Sequence, residues 1–216
     1  MLEKLPEALG HLLRDQRAGL DAVVFNRIEL RAGAGTLTLQ SLSFQDHAPM
    51  PALFTADGEG ISPPLHWSGV PSGAASLVLV VEDADAPTPQ PLVHAIVVDM
   101  PAELANLPEG ALKSPDHEGT GFNTGRNSYL VAGWLPPDPP PGHGVHRYVF
   151  QLFALAPGPE FTETPGRDAV VDVLRERALA SGMLVGTYTR PDGSIKADQE
   201  SEATAPVAAA GLPRIA

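Results

Sequence analysis

Three compact apolar runs dominate the hydrophobic pattern of the chain. They cover residues 76–82 (SLVLVVE), 93–99 (VHAIVVD) and 145–155 (VHRYVFQLFAL). Each run has the length of a strand and is bounded by turn residues, so each predicts a buried central strand. Residues 36–45 alternate between apolar and polar and predict a half-buried or edge strand, and residues 184–189 predict a last short strand.

Two segments show helical periodicity instead. In residues 2–24 leucines recur on one helix face with charged residues between them, which predicts an amphipathic helix. Because its charged face mixes both signs, we favour packing on the domain over contact with a second copy or a membrane surface. A second helix is predicted from Arg167 or Asp168 to Ser181, with Gly182 as its C-cap.

The order of these elements lacks the alternation of βαβ units, which favours a mainly β, antiparallel fold with peripheral α-helices. The length of 216 residues fits one domain with short extensions. We predict an N-terminal amphipathic helical extension over residues 1–30, a β-rich domain over residues 31–192, and an Ala/Pro-rich tail without chemistry of its own over residues 193–216.

Composition narrows the range of partners. Fourteen basic against 26 acidic residues give a formal net charge of −12, which repels phosphate backbones, so no nucleic-acid partner is expected. The chain has no cysteine, which excludes disulfides and thiolate metal sites and fits a cytoplasmic location. The charged N-terminus resembles neither a signal peptide nor a membrane span, so no integral membrane insertion is expected. An anionic ligand would need a local pocket that works against the overall charge.

Candidate site residues follow or interrupt the apolar runs. Asp83 and Asp85 come directly after the first run, where carboxylates are costly unless they are hydrogen-bonded or solvated. The simpler interpretation of this segment is an Asx-type turn that ends the strand. His94 lies within the second run, where a lone histidine is more often a satisfied core residue than a site residue.

The third run opens with a further polar group. Period-two alternation places His146 and Tyr148 on one face and Arg147 on the other, where we favour a structural ion pair with one of the aspartates. Together with His94, two histidines from neighbouring strands could both donate to an oxyanion, while a nearby carboxylate fixes their tautomers and the tyrosine hydroxyl adds a donor. Such a pocket suits a phosphate, phosphonate or carboxylate headgroup.

Three phrases of the sequence carry a family resemblance: FTADGEGISPPLHWSGVPSGAASLVLVVEDADAP, VHAIVVDMP and GHGVHRYVFQLFAL. With their D-x-D-A-P and G-x-H-R-Y elements, about residues 36–190 resemble the phosphatidylethanolamine-binding protein (PEBP) family, in its bacterial and archaeal, Raf-kinase-inhibitor-like branch. The resemblance implies a PEBP-like fold with a large central antiparallel sheet, a smaller sheet and peripheral α-helices. It also implies a pocket for phosphate-like groups.

Carried over position by position, the resemblance implies ligand-binding roles for five residues. These are Asp83, Asp85, His94, His146 and Tyr148. Arg147 is implied to be a scaffold residue. The family's glycine-rich rim is replaced here by a proline-rich one that contains Asp138. We expect this extra carboxylate, the sixth candidate ligand-binding residue, to weaken anion binding or to favour a zwitterion with an amine.

Two functions of different classes stay open. We favour binding of a small anionic or phosphorylated ligand without turnover, as in a regulatory or kinase-inhibitor-like module, with no cofactor and with a homodimer as a further candidate assembly. The alternative is an enzyme that uses Asp83, His94 and His146 for general acid–base hydrolysis or cyclisation of a small metabolite. A metal site is disfavoured, because the resemblance explains the same residues without one. His143 and His146 are spaced H-x-x-H, but in a loop-to-strand segment where they need not converge.

Overall fold

A computed structural model describes residues 7–30, 35–161 and 164–191 of the chain. Its α-helices are α1 (Glu7–Leu13), α2 (Val24–Arg27) and α3 (Arg167–Arg177). Its strands are β1 (Gly35–Thr36), β2 (Thr38–Gln40), β3 (Ala48–Pro49), β4 (Leu65–Ser68), β5 (Ser76–Asp83), β6 (Leu92–Pro101), β7 (Asn106–Leu107), β8 (His146–Leu155) and β9 (Ala178–Tyr188).

Within the described residues the strands form two sheets. In the six-stranded sheet the four long strands pair antiparallel in the order β9-β8-β5-β6, and the two-residue strands β1 and β3 pair parallel with β9. The three-stranded sheet is antiparallel in the order β2-β4-β7. The predicted mainly β architecture, with a large sheet, a smaller sheet and few helices, is confirmed.

The unbroken apolar runs arise because the central sheet is covered on both faces. Along β5 successive side chains point to opposite faces. Leu77, Leu79 and Val81 pack in the core that includes Trp67 of the small sheet. Val78 and Val80 lie in a second core, with Val170 and Leu174 of α3. Because both faces of β5 are buried, apolar residues occupy successive positions along it, and its sequence is one apolar run.

The predicted helix over residues 2–24 is wrong in its extent. Within the described residues it is the seven-residue α1, followed by non-helical chain, a 3-10 turn at Leu20–Ala22 and the four-residue α2. The helix stops because the chain turns to pair with the loop after β5: the amide of Ala18 donates to Ala86 O (3.1 Å) and that of Gly19 to Ala84 O (2.7 Å). Backbone groups used in this way are not available to a helix.

The predicted end of the second helix is also wrong. α3 ends at Arg177, and β9 begins at the next residue and runs for 11 residues, so Gly182 lies inside a strand and is not a C-cap. Pairing with β8 along nearly the whole of β9 overrides the helical periodicity of the segment. The predicted strand over residues 36–45 is likewise reduced to β1 and β2.

The N-terminal segment packs on the domain, in agreement with the favoured interpretation. α1 lies against residues 139–145: a Cβ on Gly10 would overlap the carbonyl oxygen of Pro141. Arg17 donates to His143 O (3.0 Å) and Val145 O (2.8 Å). The domain boundaries and the homodimer stay predictions, and the predicted tail over residues 193–216 lies outside the described residues. No helix among the described residues is long and apolar enough to cross a membrane.

Candidate ligand-binding pocket

A cavity of about 280 Å³ opens where three strands of the central sheet begin or end, and its lining includes Asp83, His94 and His146. Asp83 is the last residue of β5, His146 the first of β8, and His94 lies near the start of β6. Because β5 runs antiparallel to both neighbours, its end meets their beginnings. The sequence suggested that the two strands carrying the histidines are neighbours, but they are not adjacent. β5 lies between them and carries the acid.

Asp83 links the turn after β5 to His146. Its Oδ1 accepts a hydrogen bond from the amide of Asp85 (2.8 Å), which is the predicted Asx-type turn. Its Oδ2 lies 2.7 Å from Nδ1 of His146. Both side chains are more than nine-tenths buried, at 7% and 1% exposure, so each compensates the burial of the other. The structural interpretation of Asp83 is confirmed, and its ligand-binding role stays a prediction.

His143 and His146 converge, which their H-x-x-H spacing allowed but did not require. Nδ1 of His143 lies 2.7 Å from Nε2 of His146, and Nε2 of His143 lies 2.8 Å from the backbone oxygen of Leu13. Both nitrogens of His146 are thus engaged within the protein. Of the two histidines expected to meet a ligand, only His94 therefore keeps a nitrogen without a partner among the described residues. Among the described residues, no three metal-ligating side chains are grouped so as to hold a metal ion.

His94 presents one unpartnered nitrogen. Its Nδ1 lies 2.6 Å from the carbonyl oxygen of Leu135, which can only accept, so Nδ1 carries the proton. Burial lowers the pKa of His94, and the nearby charge of Asp83 opposes this only in part. The neutral ring leaves Nε2 as a bare acceptor. This atom is buried and has no hydrogen-bond partner among the described residues.

Hydroxyl groups also lie at or near the same cavity, among them those of Ser114, Tyr129 and Tyr148. Ser114 lines it, and its Oγ is buried without a hydrogen-bond partner within the described part of the chain. Tyr148 does not line the cavity; its ring lies edge-on to His94 (centroids 5.1 Å apart) and stacks on His146 (6.4 Å). Burial raises the pKa of Tyr148 well above its ordinary value, which keeps the phenol neutral and able to donate.

Asp85 lies outside the cavity lining. Its carboxylate accepts two hydrogen bonds from Arg147 (both 2.7 Å) and pairs with Arg17 (2.9 Å). Burial opposes ionisation, yet the hydrogen bonds from Arg147 and Arg17 hold the pKa of Asp85 below its ordinary value. The predicted structural ion pair of Arg147 is confirmed. Asp85 is held in this ion pair, and its predicted ligand-binding role stays a prediction.

Asp138 lines the cavity but is paired. The fully buried guanidinium of Arg190 lies 2.7 Å from Asp138 and 2.9 Å from Asp57. Arg190 also donates to Pro139 O (3.0 Å), so this one side chain joins the segment that follows β9 to two loops of the cavity wall. The carboxylate of Asp138 therefore does not enter the cavity as an isolated charge, although one arginine between two acids leaves a net charge of −1 there.

The charge of the lining is acidic. Four carboxylates and two histidines contribute to it, and the lining contains neither lysine nor arginine; the carboxylates are Glu59, Asp83, Asp116 and Asp138. A doubly charged anion would be repelled by these acids without meeting a fixed cation. The lining therefore disfavours a multiply charged anion, while His94 Nε2 can accept a hydrogen bond from a donor group of a ligand.

Three residues of the site were not assigned from the sequence. His143 had a signal, its H-x-x-H spacing to His146. Ser114 lies in a long loop and Arg190 just after the last strand, and neither carries a local pattern. Their positions depend on long-range contacts that only the folded chain brings together.

Comparison with known families agrees with this geometry. Residues 40–189 match the family model described as phosphatidylethanolamine-binding protein. The chain belongs to the phosphatidylethanolamine-binding protein family. The match spans the strands that carry Asp83, His94 and His146, so the pocket lies within the family's own domain. α1 and the segment up to Arg17, which contact residues 141–145 next to the pocket, precede it.

Bacterial and archaeal proteins are among the relatives of this chain. A UPF0098 protein of Aquifex aeolicus is 34% identical over 174 residues, which is 79% of this chain and 99% of that protein. The crystal structure of a PEBP homologue from Chlamydia trachomatis superposes with a TM-score of 0.65 at 32% identity, covering 72% of this chain and 99% of that one. The crystal structure of Escherichia coli YbcL, described as a new member of the mammalian PEBP family, superposes with a TM-score of 0.65 at 28% identity, covering 72% of this chain and 99% of that one.

Proposed function

We propose that the protein binds a small phosphate-like or carboxylate anion in this cavity, together with a hydrogen-bond donor of the ligand, and that it does so without turnover. The observation that carries the proposal is a pair of buried polar atoms in the cavity wall, His94 Nε2 and Ser114 Oγ, that have no partner among the described residues. Such atoms are rare in folded proteins, and a ligand that pairs with them removes the cost of their burial.

The two atoms are complementary to a protonated oxyanion. Neutral His94 offers an acceptor, which takes a hydrogen bond from a P–OH or carboxyl OH, whereas the hydroxyl of Ser114 donates to a ligand oxygen. The monoanion of phosphate or of a phosphate monoester offers both groups. An ammonium group beside an anion meets the same requirement, which keeps the zwitterion considered for Asp138 within the proposed ligand class.

Binding without turnover is supported by the engagement of His146, which leaves His94 as the one candidate acid–base histidine with a nitrogen open to the cavity. A general acid or base must reach a proton of the ligand, and both nitrogens of this ring are already bonded to Asp83 and His143. A regulatory, kinase-inhibitor-like role, as implied by the family resemblance, would then act through occupancy of the cavity.

Isothermal titration calorimetry with inorganic phosphate at about pH 6.5, where the monoanion is abundant, tests the proposal. We expect saturable one-to-one binding by the natural sequence and a loss of about tenfold or more in His94→Phe, the effect of one hydrogen bond to a charged group. His66→Phe in β4, outside the cavity lining, is the matched control and should bind normally. Equal affinity in folded His94→Phe, or no binding by the natural sequence at millimolar phosphate, would overturn it.

A further inference from the structure

A continuous hydrogen-bonded chain joins the N-terminal segment to the pocket. It runs from Leu13 O to His143 Nε2 (2.8 Å), from His143 Nδ1 to His146 Nε2 (2.7 Å), and from His146 Nδ1 to Asp83 Oδ2 (2.7 Å). The two rings are 0% and 1% exposed. The order and chemical nature of these atoms fix where the protons lie.

The chain ends in an acceptor at the N-terminal side. A backbone carbonyl cannot donate, so Nε2 of His143 must carry a proton. Burial and the neighbouring His146 lower the pKa of His143, which the hydrogen bond to Leu13 opposes only in part, and this favours the neutral ring. A neutral ring with its proton on Nε2 has a bare Nδ1. A bare Nδ1 requires the proton of the next contact to be on Nε2 of His146.

The last contact needs one more proton. His146 Nδ1 and Asp83 Oδ2 lie within hydrogen-bond distance, and one of them must donate. Three contacts therefore hold three protons, one more than two neutral imidazoles supply. Whether the third proton lies on His146 or on Asp83, the two side chains together carry no net charge.

We infer that the carbonyl of Leu13, acting through His143, keeps a proton on Nε2 of His146 and so neutralises the Asp83–His146 pair that lines the pocket. His143 is then a positioning residue, and α1 is part of the device that makes an acidic cavity compatible with an anion. This deepens the proposed function and rests on it for its consequence, whereas the location of the proton stands by itself.

The N-terminal segment is held firmly enough for this role. Arg17 bonds to the carbonyls of His143 and Val145 and pairs with Asp85. Gly10 allows α1 to approach the carbonyl of Pro141 more closely than any side chain would permit. These contacts place the end of α1, and with it Leu13 O, against the buried ring.

Long-range ¹H–¹⁵N NMR of the full, unliganded chain, labelled in its histidines, tests the inference directly. We expect Nε2 of His146 to give the signal of a protonated nitrogen, and His143 to show a protonated Nε2 and a bare Nδ1. A bare Nε2 on His146, with the proton on Nδ1 of His143, would overturn it. This readout does not depend on any ligand, so it is distinct from a failure of phosphate to bind.

Two variants test the consequence for binding. His143→Phe removes the acceptor for His146 Nε2–H, so the Asp83–His146 pair loses its third proton and carries a net charge of −1, and we expect phosphate affinity to fall about tenfold. Gly10→Val should displace α1 and cause a loss of similar size while His143 stays in place. His66→Phe serves again as the control. Unchanged phosphate affinity in folded Gly10→Val would contradict a role for the Leu13 carbonyl.

Discussion

Glu82 and Asp83 are adjacent buried carboxylates on opposite faces of the central sheet. Glu82 is fully buried and faces α3, where its two oxygens accept hydrogen bonds from Arg167 (2.6 Å), the amide of Val24 (2.8 Å) and Gln151 (2.9 Å). It does not line the cavity. Its surroundings meet each oxygen with a donor, which is what a structural carboxylate requires.

Asp83 is as well bonded, but its surroundings are not complete. The cavity beside it also contains His94 Nε2 and Ser114 Oγ, which lack partners among the described residues. The two acids are thus similar in burial and in the number of hydrogen bonds they accept. Their surroundings differ in one respect: only Asp83 lies beside an open cavity with unpartnered polar atoms. Unmet hydrogen-bonding capacity next to a cavity, rather than a buried charge, marks the candidate site.

Glu82→Gln should separate the two acids most clearly. We expect a loss of about 3 kcal/mol in the free energy of unfolding, because Arg167 stays buried beside a neutral amide. Phosphate affinity of the folded variant should not change. Urea unfolding measures the loss, and Asp172→Asn, which removes an exposed partner of Arg175, should cost less than about 0.5 kcal/mol. A loss for Glu82→Gln as small as that of the control would refute its structural assignment.

Ser114→Ala should have the opposite profile. Removal of the unpartnered hydroxyl should weaken phosphate binding about tenfold, close to 1.4 kcal/mol, with little change in stability. Calorimetry measures the affinity, with Ser72→Ala in an exposed turn as the control. Unchanged affinity in Ser114→Ala would remove this side chain from the site.

The pH dependence of stability should report the burial of His94. Burial lowers the pKa of His94 from its ordinary value of 6.5, so the unfolded state takes up the proton more readily and acid favours unfolding. Stability should fall between about pH 7.5 and about pH 5.5, by at most about 1.4 kcal/mol from this residue, the limit reached if the folded His94 takes up no proton in that range. Urea unfolding at both values should show that His94→Phe lacks this share of the loss. The same pH dependence in both proteins would contradict a buried neutral His94.

Asp138→Asn should give the smallest effect. Arg190 then balances Asp57 alone, the net charge at the rim changes from −1 to zero, and phosphate should bind about threefold more tightly. The gain should shrink at high salt, because the rim is partly open to solvent. Weaker binding than in the natural sequence would show that Asp138 contacts the ligand itself.

The sequence predicted the central strands because their apolar runs reflect local burial on two faces. It failed where distant chain decides the structure. Residues 178–181 continue a helical pattern, yet pairing with β8 makes them a strand. The chain after α1 leaves the helix to bond with Ala84 and Ala86.

The same division applies to the site. Asp83, His94 and His146 were predicted as a group and line one cavity. The partners that set their chemistry were not predicted, because Leu13 O, Leu135 O and Arg190 are brought in by backbone positions and loops without a sequence signature. Residue types can indicate a pocket, whereas its protonation depends on the fold.

The most direct test of the central claim follows the ring nitrogens of His94 by ¹⁵N NMR during a phosphate titration at about pH 6.5. We predict that the ¹⁵N chemical shift of His94 Nε2 changes from that of a bare nitrogen to that of one accepting a hydrogen bond as phosphate saturates the protein. The ¹⁵N shifts of His66 should not change. A saturated complex in which Nε2 of His94 keeps its original signal would contradict the account.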